Sequence, residues 1–245
     1  FSPEDLNIIK NGPAERRRFI DLELSQLDKV YLNDLGNYNR IINQRNKLLK
    51  DISFNSGLKD TLDIWDIQLI EYGEKVIQAR KKFVSDINEI ISEIHKKLTG
   101  NQEQIEVIYE PNTGGQSLGD VIQRNRERDL RMMSTTSGPH RDDICFQVDG
   151  IDIRKFGSQG QQRTAALSLK LSEIELVKML TKDKPVLLLD DVLSELDKHR
   201  QNYLLDSIDD IQTLITCTGV DEFVNHRFSI NKIFYVHEGQ VRNEN

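Results

Sequence analysis

Val186-Leu187-Leu188-Leu189-Asp190-Asp191-Val192-Leu193-Ser194-Glu195-Leu196-Asp197 is the stretch that decides the fold of this 245-residue chain. Four apolar residues follow Pro185 and run straight into two acids. A short continuous apolar run bounded by proline reads as a strand buried on both faces. Ligands of open α/β sheets sit outside the carboxyl ends of such strands. Asp190 and Asp191 stand at that end. Their hard oxygens suit Mg²⁺, which is commonly held by one or two carboxylates together with substrate phosphates. Taken alone, the pattern also fits a core strand ending in a solvated acidic turn.

A second stretch lies just upstream. Phe156-Gly157-Ser158-Gln159-Gly160-Gln161-Gln162-Arg163 opens a long apolar helix. Ser158 is a good N-cap, and glycine lets backbone approach a ligand closely. The uncommitted N–H groups of a helix start favour an anion such as phosphate. An ordinary capped helix would read the same way. The order is more specific than its parts: Ser-x-Gly-Gln-Gln-Arg, a helix, an apolar strand ending in two acids, then Ser-Glu-Leu-Asp. This set resembles the signature motif, Walker B strand and D-loop of the ABC-type ATPases.

Working outward, the length allows one large or two modest domains with ample core. No apolar run approaches membrane-spanning length. Cys145 and Cys217 are the two cysteines, far apart and in no Cys-x-x-Cys. That argues against zinc and fits a reducing cytoplasm. The net charge is −7. Residues 1–100 hold 16 basic and 16 acidic side chains, and residues 101–245 hold 17 and 24, so the acidic excess lies wholly in the second part. A generally basic nucleic-acid binder is excluded, and any DNA contact must use local patches.

Ser2-Pro3-Glu4-Asp5 starts a short helix that Asn11-Gly12 ends, and Pro13 opens the next. Arg16-Arg17-Arg18 follows, either a solvated face or a phosphate-binding patch. Leu27, Val30, Tyr31, Tyr38, Ile41, Ile42, Leu48 and Leu49 recur at helical spacing, and Asn55-Ser56-Gly57 breaks the run. Leu69, Gly73, Val76, Arg80, Phe83, Ile87, Ile90 and Ile94 then form a heptad seam. Two long helices with a short polar break predict an antiparallel pair, an exposed arm closed by Gly100. No cysteine tips it, so a zinc-hook dimer is not supported.

Ile105–Tyr109 reads as a strand, residues 118–130 as a helix, and Arg124, Arg126, Arg128 and Arg131 within it as a salt-bridged surface. Thr136–Asp143 is a polar turn. His140-Arg141-Asp142 within it reads as structural, with Arg141 pairing Asp142 or Asp143. Asp149-Gly150 predicts a hairpin. Thr213–Ile215 and Ile233–Val236 read as the last strands, with a final turn at Gly239.

Phe1–Leu6, Arg16–Asp21, Gly138–Asp143, Gly157–Arg163 and Leu187–Asp197 together resemble the RecF family of bacterial recombination-mediator ATPases, whose members are similar to the head domains of chromosome-maintenance ATPases. The resemblance implies an α/β ABC-ATPase-type lobe, a sheet flanked by helices, with an inserted antiparallel, coiled-coil-like helical arm. Residues 1–20 are expected to end an N-terminal lobe and enter the arm, 21–100 to form the arm, and 101–245 to form the C-terminal lobe. No Gly-x-x-x-x-Gly-Lys-Ser/Thr occurs, and Gly114–Gly119 is followed by Asp120. The chain is therefore expected to be a C-terminal part lacking roughly a hundred residues by domain size, without ATPase activity by itself.

The resemblance also carries roles. Asp190 is expected to orient Mg²⁺ through water, and Asp191 to position or activate the attacking water. Asp191 reaches one methylene less far than the usual Glu, which implies slow hydrolysis. Ser158, Gly160, Gln161 and Gln162 are expected to meet ATP held by a second subunit, and Ser194 and Asp197 to lie at the dimer interface. Arg16, Arg17 and Arg18 are the candidate DNA contacts. The switch His expected after the next strand is replaced by Thr216-Cys217-Thr218. The implied cofactors are ATP and Mg²⁺; the implied partners are RecR, RecO, gapped or junction DNA and a second copy in an ATP-dependent homodimer. The alternatives are another soluble ATPase of the same superfamily and a non-catalytic protein-binding scaffold.

Overall fold

The computed structural model describes residues 1–217 and 232–243, apart from the side chains of Glu195 and Asn243. The chain forms two compact units, Glu4–Lys184, and Phe1–Pro3 with Pro185–Asn245. The expected division near residue 100 falls inside the larger unit.

The larger unit begins with α1 (Leu6–Lys10) and α2 (Pro13–Leu27), the latter with proline in its first turn. Next come α3 (Lys29–Phe54) and α4 (Leu62–Leu98). Asp28 starts α3 by accepting from the Val30 N–H at 2.7 Å. After α4, Gly100 and Asn101 take left-handed φ of 63° and 62°, and the Asn101 N–H returns to the Lys96 carbonyl at 2.7 Å. Two basic side chains, Lys96 and Lys97, lie in that last turn, where the helix dipole favours them. The remaining elements are β1 (Ile105–Glu110), α5 (Leu118–Met132), β2 (Asp143–Val148), β3 (Ile151–Asp152), α6 (Ile153–Phe156) and α7 (Gln159–Thr181).

The α3–α4 pair is antiparallel. Tyr31 meets Arg80, Arg45 meets Asp66, and Tyr38 packs on Gly73, so partners run in opposite order. Leu69, Val76, Phe83 and Ile87 are buried as the heptad pattern predicts, while Ile91 rather than Ile90 lies deepest in the last turns. Gly73 is where side chains from two helices close in. A Cβ there would stand 2.4 Å from Leu118 Cδ2 and 3.2 Å from Tyr38 Cε2.

The antiparallel helix pair is present as expected, and its α4 side is covered rather than exposed. Besides α3, helix α4 packs on α7, β1 and α5, and residues of α3, α4, β1, β2 and α7 share one apolar core. Each fully buried Leu or Ile contributes about 1.5–3 kcal/mol, so this helix could not be peeled away cheaply. β1 pairs antiparallel with β2, and β2 with β3. The β2–β3 turn uses Asp149 and Gly150 with φ of 51° and 78°, the left-handed pair that a two-residue hairpin requires.

Charged side chains stitch the helices. Arg45 is fully buried and donates to Asp66 and Asp129, each at 2.7 Å, and to Thr135 Oγ1 at 2.9 Å. Arg126 pairs with Asp63 and Asp66, as a salt-bridged α5 predicts, but Asp129 is wholly buried rather than on the surface.

In the smaller unit, β4 (Leu187–Asp190) pairs in parallel with β5 (Thr213–Thr216). Helix α8 (Lys198–Ser207) lies between them in sequence. Phe1 borders β4: its carbonyl accepts from the Asp190 N–H at 2.9 Å, and its nitrogen lies 2.5 Å from the Leu188 carbonyl oxygen. Leu189 is buried but Leu188 is 60% exposed. Burial of β4 on both faces is therefore not met among the described residues. β6 (Phe234–His237) and β7 (Gln240–Asn243) form a hairpin through Glu238 and Gly239, both at positive φ.

Candidate functional site

The segment from Gly157 to Gln162 lies in the larger unit. Gly157 has an ordinary φ, and what it requires is space. A Cβ there would stand 2.5 Å from the Ile153 carbonyl oxygen and 2.7 Å from Ile153 Cβ. The Gly157 N–H closes α6 on that same carbonyl at 3.0 Å. Ser158, in extended conformation, then caps α7 with a full capping box. Its Oγ accepts from the Gln161 N–H at 3.1 Å, and Gln161 Oε1 accepts from the Ser158 N–H at 2.9 Å. Ser158, Gln159 and Gly160 are exposed. The Ser158 hydroxyl proton is not used by the box, because that Oγ acts there only as an acceptor. This is an open helix start suited to an anion.

Two expected contacts take other places. Gln162 is buried and donates from Nε2 to the Ile153 carbonyl at 2.8 Å, so it braces α6 instead of facing a ligand. Gln161 is used at both ends of its amide: Oε1 in the box, and Nε2 on Glu103 Oε1 at 3.0 Å.

The acidic segment lies in the smaller unit. Asp190, at the end of β4, is exposed, and its Oδ1 accepts from Thr216 Oγ1 at 2.5 Å. Asp191 takes a left-handed φ of 50°, held by its N–H, which donates to both the carbonyl and the hydroxyl of Thr216, each at 3.2 Å. Asp tolerates this region better than most residues. Asp191 Oδ1 is buried with no hydrogen-bond partner. Ser194 Oγ donates to the Asp191 carbonyl at 2.9 Å, and Asp197 caps α8 by accepting from the His199 and Arg200 N–H groups. Burial opposes the Asp197 charge, but those N–H bonds and the Arg200 guanidinium prevail and hold its carboxyl below the usual range. Thr216 is the residue that sequence reading missed. It was legible only as the absence of a histidine. Thr218 lies outside the described residues.

The arginine triplet divides. Arg16 is buried, gripping Asp143 at 2.6 and 3.0 Å and the Asn11 carbonyl at 2.5 Å, which removes it from the side chains able to meet DNA. Arg17 is half-buried on the Asp142 carbonyl, and Arg18 is exposed. The turn at 138–142 is structural, though not by the expected pairing. Asp142 faces Arg80, Asp143 faces Arg16 and Arg154, and Arg141 is exposed. His140 Nε2 lies 3.0 Å from the Thr135 carbonyl and Nδ1 lies 2.7 Å from the Tyr38 hydroxyl. A carbonyl only accepts, so Nε2 carries the proton and Nδ1 receives one from Tyr38. Burial pushes the His140 pKa down to about 4, so the ring is neutral. Among the described residues no group of three or more His, Cys, Asp or Glu could hold a metal, and no helix is long and apolar enough to cross a membrane.

The sequence that carries this helix start and, in the other unit, the strand ending in two acids recurs in known proteins. The DNA replication and repair protein RecF of Lachnospira eligens is 61% identical across 100% of this chain and 68% of its own length. That of Agathobacter rectalis is 62% identical over 98% of the chain and 67% of its own. The chain belongs to the RecF family. It spans about two thirds of the length of these relatives. A solved structure of the recombination mediator RecF with ATP superposes with a TM-score of 0.91 at 37% identity, covering all of this chain and 66% of that one. An Smc head domain from Pyrococcus furiosus matches at 0.52 and 15% identity, which shows the fold alone. No protein-family model matches the chain. The RecF fold places the helix pair and the signature-like helix in an ABC-ATPase-type α/β architecture, as the ordered motifs predict.

Proposed function

We propose that this chain is the signature-bearing and acid-bearing part of an ATP-gated, DNA-binding recombination and repair ATPase that hydrolyses slowly. The open start of α7 carries the reading. An exposed Ser158 and Gly160, locked by a capping box, offer N–H and O–H donors to the terminal phosphate of ATP bound by a second copy. In that arrangement nucleotide joins the two copies. Gln161 acts by holding Ser158 rather than by touching phosphate.

The acidic segment fits the water and cation that ATP requires. Asp190 offers an exposed carboxylate, and Asp191 offers an orphaned buried oxygen, Oδ1. These are hard donors of the kind Mg²⁺ takes. Asp190 would hold the ion through water, and the ion would offset phosphate charge. Asp191 Oδ1 would accept a hydrogen bond from the attacking water and orient it. Ser194 and Asp197 stay assigned to the contact between copies. A related structure is of RecF in the RecFOR pathway, which supports RecR and RecO as partners; gapped or junction DNA is the target this reading expects. Exposed Arg18, with half-buried Arg17, is what the triplet leaves for DNA. The same names support a cytoplasmic setting.

In the full-length protein, Ser158→Arg should abolish ATP-driven dimers while one subunit still binds ATP. Asp191→Asn, which keeps the left-handed backbone and the side-chain shape, should keep the dimers and stop turnover. Sedimentation and phosphate release read the two effects. Dimers surviving Ser158→Arg reject the contact in trans, and unchanged turnover rejects the Asp191 role.

A further inference from the structure

Gln161 poses a choice that its own helix does not settle. An amide can point either end at the Ser158 N–H, and only one orientation completes the capping box. Glu103, in the short connection between α4 and β1, settles it. Its Oε1 accepts from Gln161 Nε2 at 3.0 Å, which leaves Gln161 Oε1 for Ser158. A flipped amide would set its carbonyl against a carboxylate and its NH₂ against an N–H, two repulsive contacts in place of two bonds.

Below it lies His95, a fully buried residue in the last turn of α4, with Nε2 3.4 Å from Glu103 Oε2. His95 Nδ1 lies 2.9 Å from Ser168 Oγ, and Ser168 Oγ is also within 2.8 Å of the Thr164 carbonyl. Ser168 donates to Thr164, so its Oγ accepts from His95 Nδ1–H, and the pair ties α4 to α7. Asp149 Oδ1 accepts from the Gln104 N–H at 3.1 Å, and its own N–H donates to the Gln104 carbonyl at 2.9 Å, which fixes the connection next to Glu103.

We propose that Glu103 is a positioning residue for the Ser158 segment: by fixing the Gln161 amide it sets how firmly the start of α7 meets a nucleotide held by a second copy. This rests on the in-trans reading of Ser158. Glu103 touches no nucleotide; it acts through Gln161. Losing one charge-assisted hydrogen bond is worth about tenfold at one segment, and a symmetric pair uses two segments, so the dimer constant should move by about a hundredfold.

The test is ATP-dependent dimerisation of the full-length protein by sedimentation velocity, with single-subunit ATP affinity titrated alongside. Glu103→Ala should weaken the dimer about a hundredfold and leave single-subunit ATP affinity where it was. Glu103→Gln keeps an acceptor oxygen for Gln161 and should restore the dimer. Loss of packing alone would not be rescued that way. Should Glu103→Ala fail to fold, Glu103→Leu, which keeps the stem, replaces it in the same comparison. Dimers lost in Ser158→Arg but unaffected by the Glu103 variants overturn the Glu103 assignment alone. Equal loss in Glu103→Gln and Glu103→Ala overturns it as well. Dimers that survive Ser158→Arg overturn the underlying reading instead.

Discussion

Replacing Arg80 with Met tests how the larger unit is held together. Arg80 occupies an apolar position of the α4 seam, and its side chain is 3% exposed. Burial alone would strip its proton more easily, but Asp21 and Tyr31 override that and raise its pKa. Nη2 meets both Asp21 oxygens at 2.8 and 3.1 Å, and Nη1 donates to the Pro139 carbonyl at 2.7 Å and faces Asp142 at 3.4 Å. Met keeps the length and removes the charge. Asp142, 1% exposed, would keep Tyr109 and the Asn112 N–H but lose its nearest cation. The Pro139 carbonyl would lose this donor. Breaking one side of a buried pair costs about 3–5 kcal/mol; Asp21 is 24% exposed and recovers some hydration, so the lower part of that range, about 3–4 kcal/mol, is expected. With a urea slope of about 2 kcal/mol/M, the midpoint by circular dichroism should fall by about 1.5–2 M. Adding Asp142→Asn should recover part of the loss, because a neutral amide tolerates the site better than an unpaired carboxylate. A fall below about 0.5 M, or no recovery in the double variant, would refute the network as a support of the fold.

Glu173 gives a pH dependence of definite sign. Burial raises its pKa to about 8, against the pull of Lys170 at 2.5 Å and with added repulsion from Glu23 and Asp5. A carboxyl raised in the folded state contributes most below its unfolded value of 4.5, and that contribution is lost as pH climbs toward about 8. Glu173→Gln should therefore flatten the fall in melting temperature between those limits; an unchanged profile counts against it. Gly157→Ala should press a methyl on the Ile153 carbonyl. The cost should be about 1–3 kcal/mol by urea titration, and ATP-driven dimerisation of the full-length protein should weaken at least about tenfold. Wild-type values for both would show that Gly157 needs no such space.

Local patterns survived translation into structure because each carries its own cause. Asn55-Ser56-Gly57 ends one helix, Ser158 begins another, and Asp149-Gly150 turns a hairpin, all through bonds to residues a few positions away. Burial patterns were less legible, because they depend on what covers a face. The apolar run at Leu187–Leu189 announces a strand, yet Leu188 is exposed while Leu189 is not. The two long helices announce a pair, but nothing in their heptads reveals that α7 and β1 lie along the other side of α4.

The partners of the buried arginines are the least legible feature, and for one reason. Their acids stand far along the chain: Asp143 for Arg16, Asp66 and Asp129 for Arg45, Asp21 and Asp142 for Arg80. No local rule links such pairs. Once formed, each fixes one register. Arg45 joins α3, α4 and α5, and Arg80 joins α4 to α2 and to the turn before β2. Apolar side chains could fill those positions at equal or better stability, but they would tolerate a helix sliding by a turn. A bidentate guanidinium does not. On the proposed contact in trans, the start of α7 must be presented in one orientation, and Glu103, in the connection that follows α4, would tie that orientation to the helix whose register Arg80 sets. Displacing α4 by one turn would then break the Arg80 pairing and misdirect Gln161 together, which would make the buried charges part of how the exposed Ser158 is aimed.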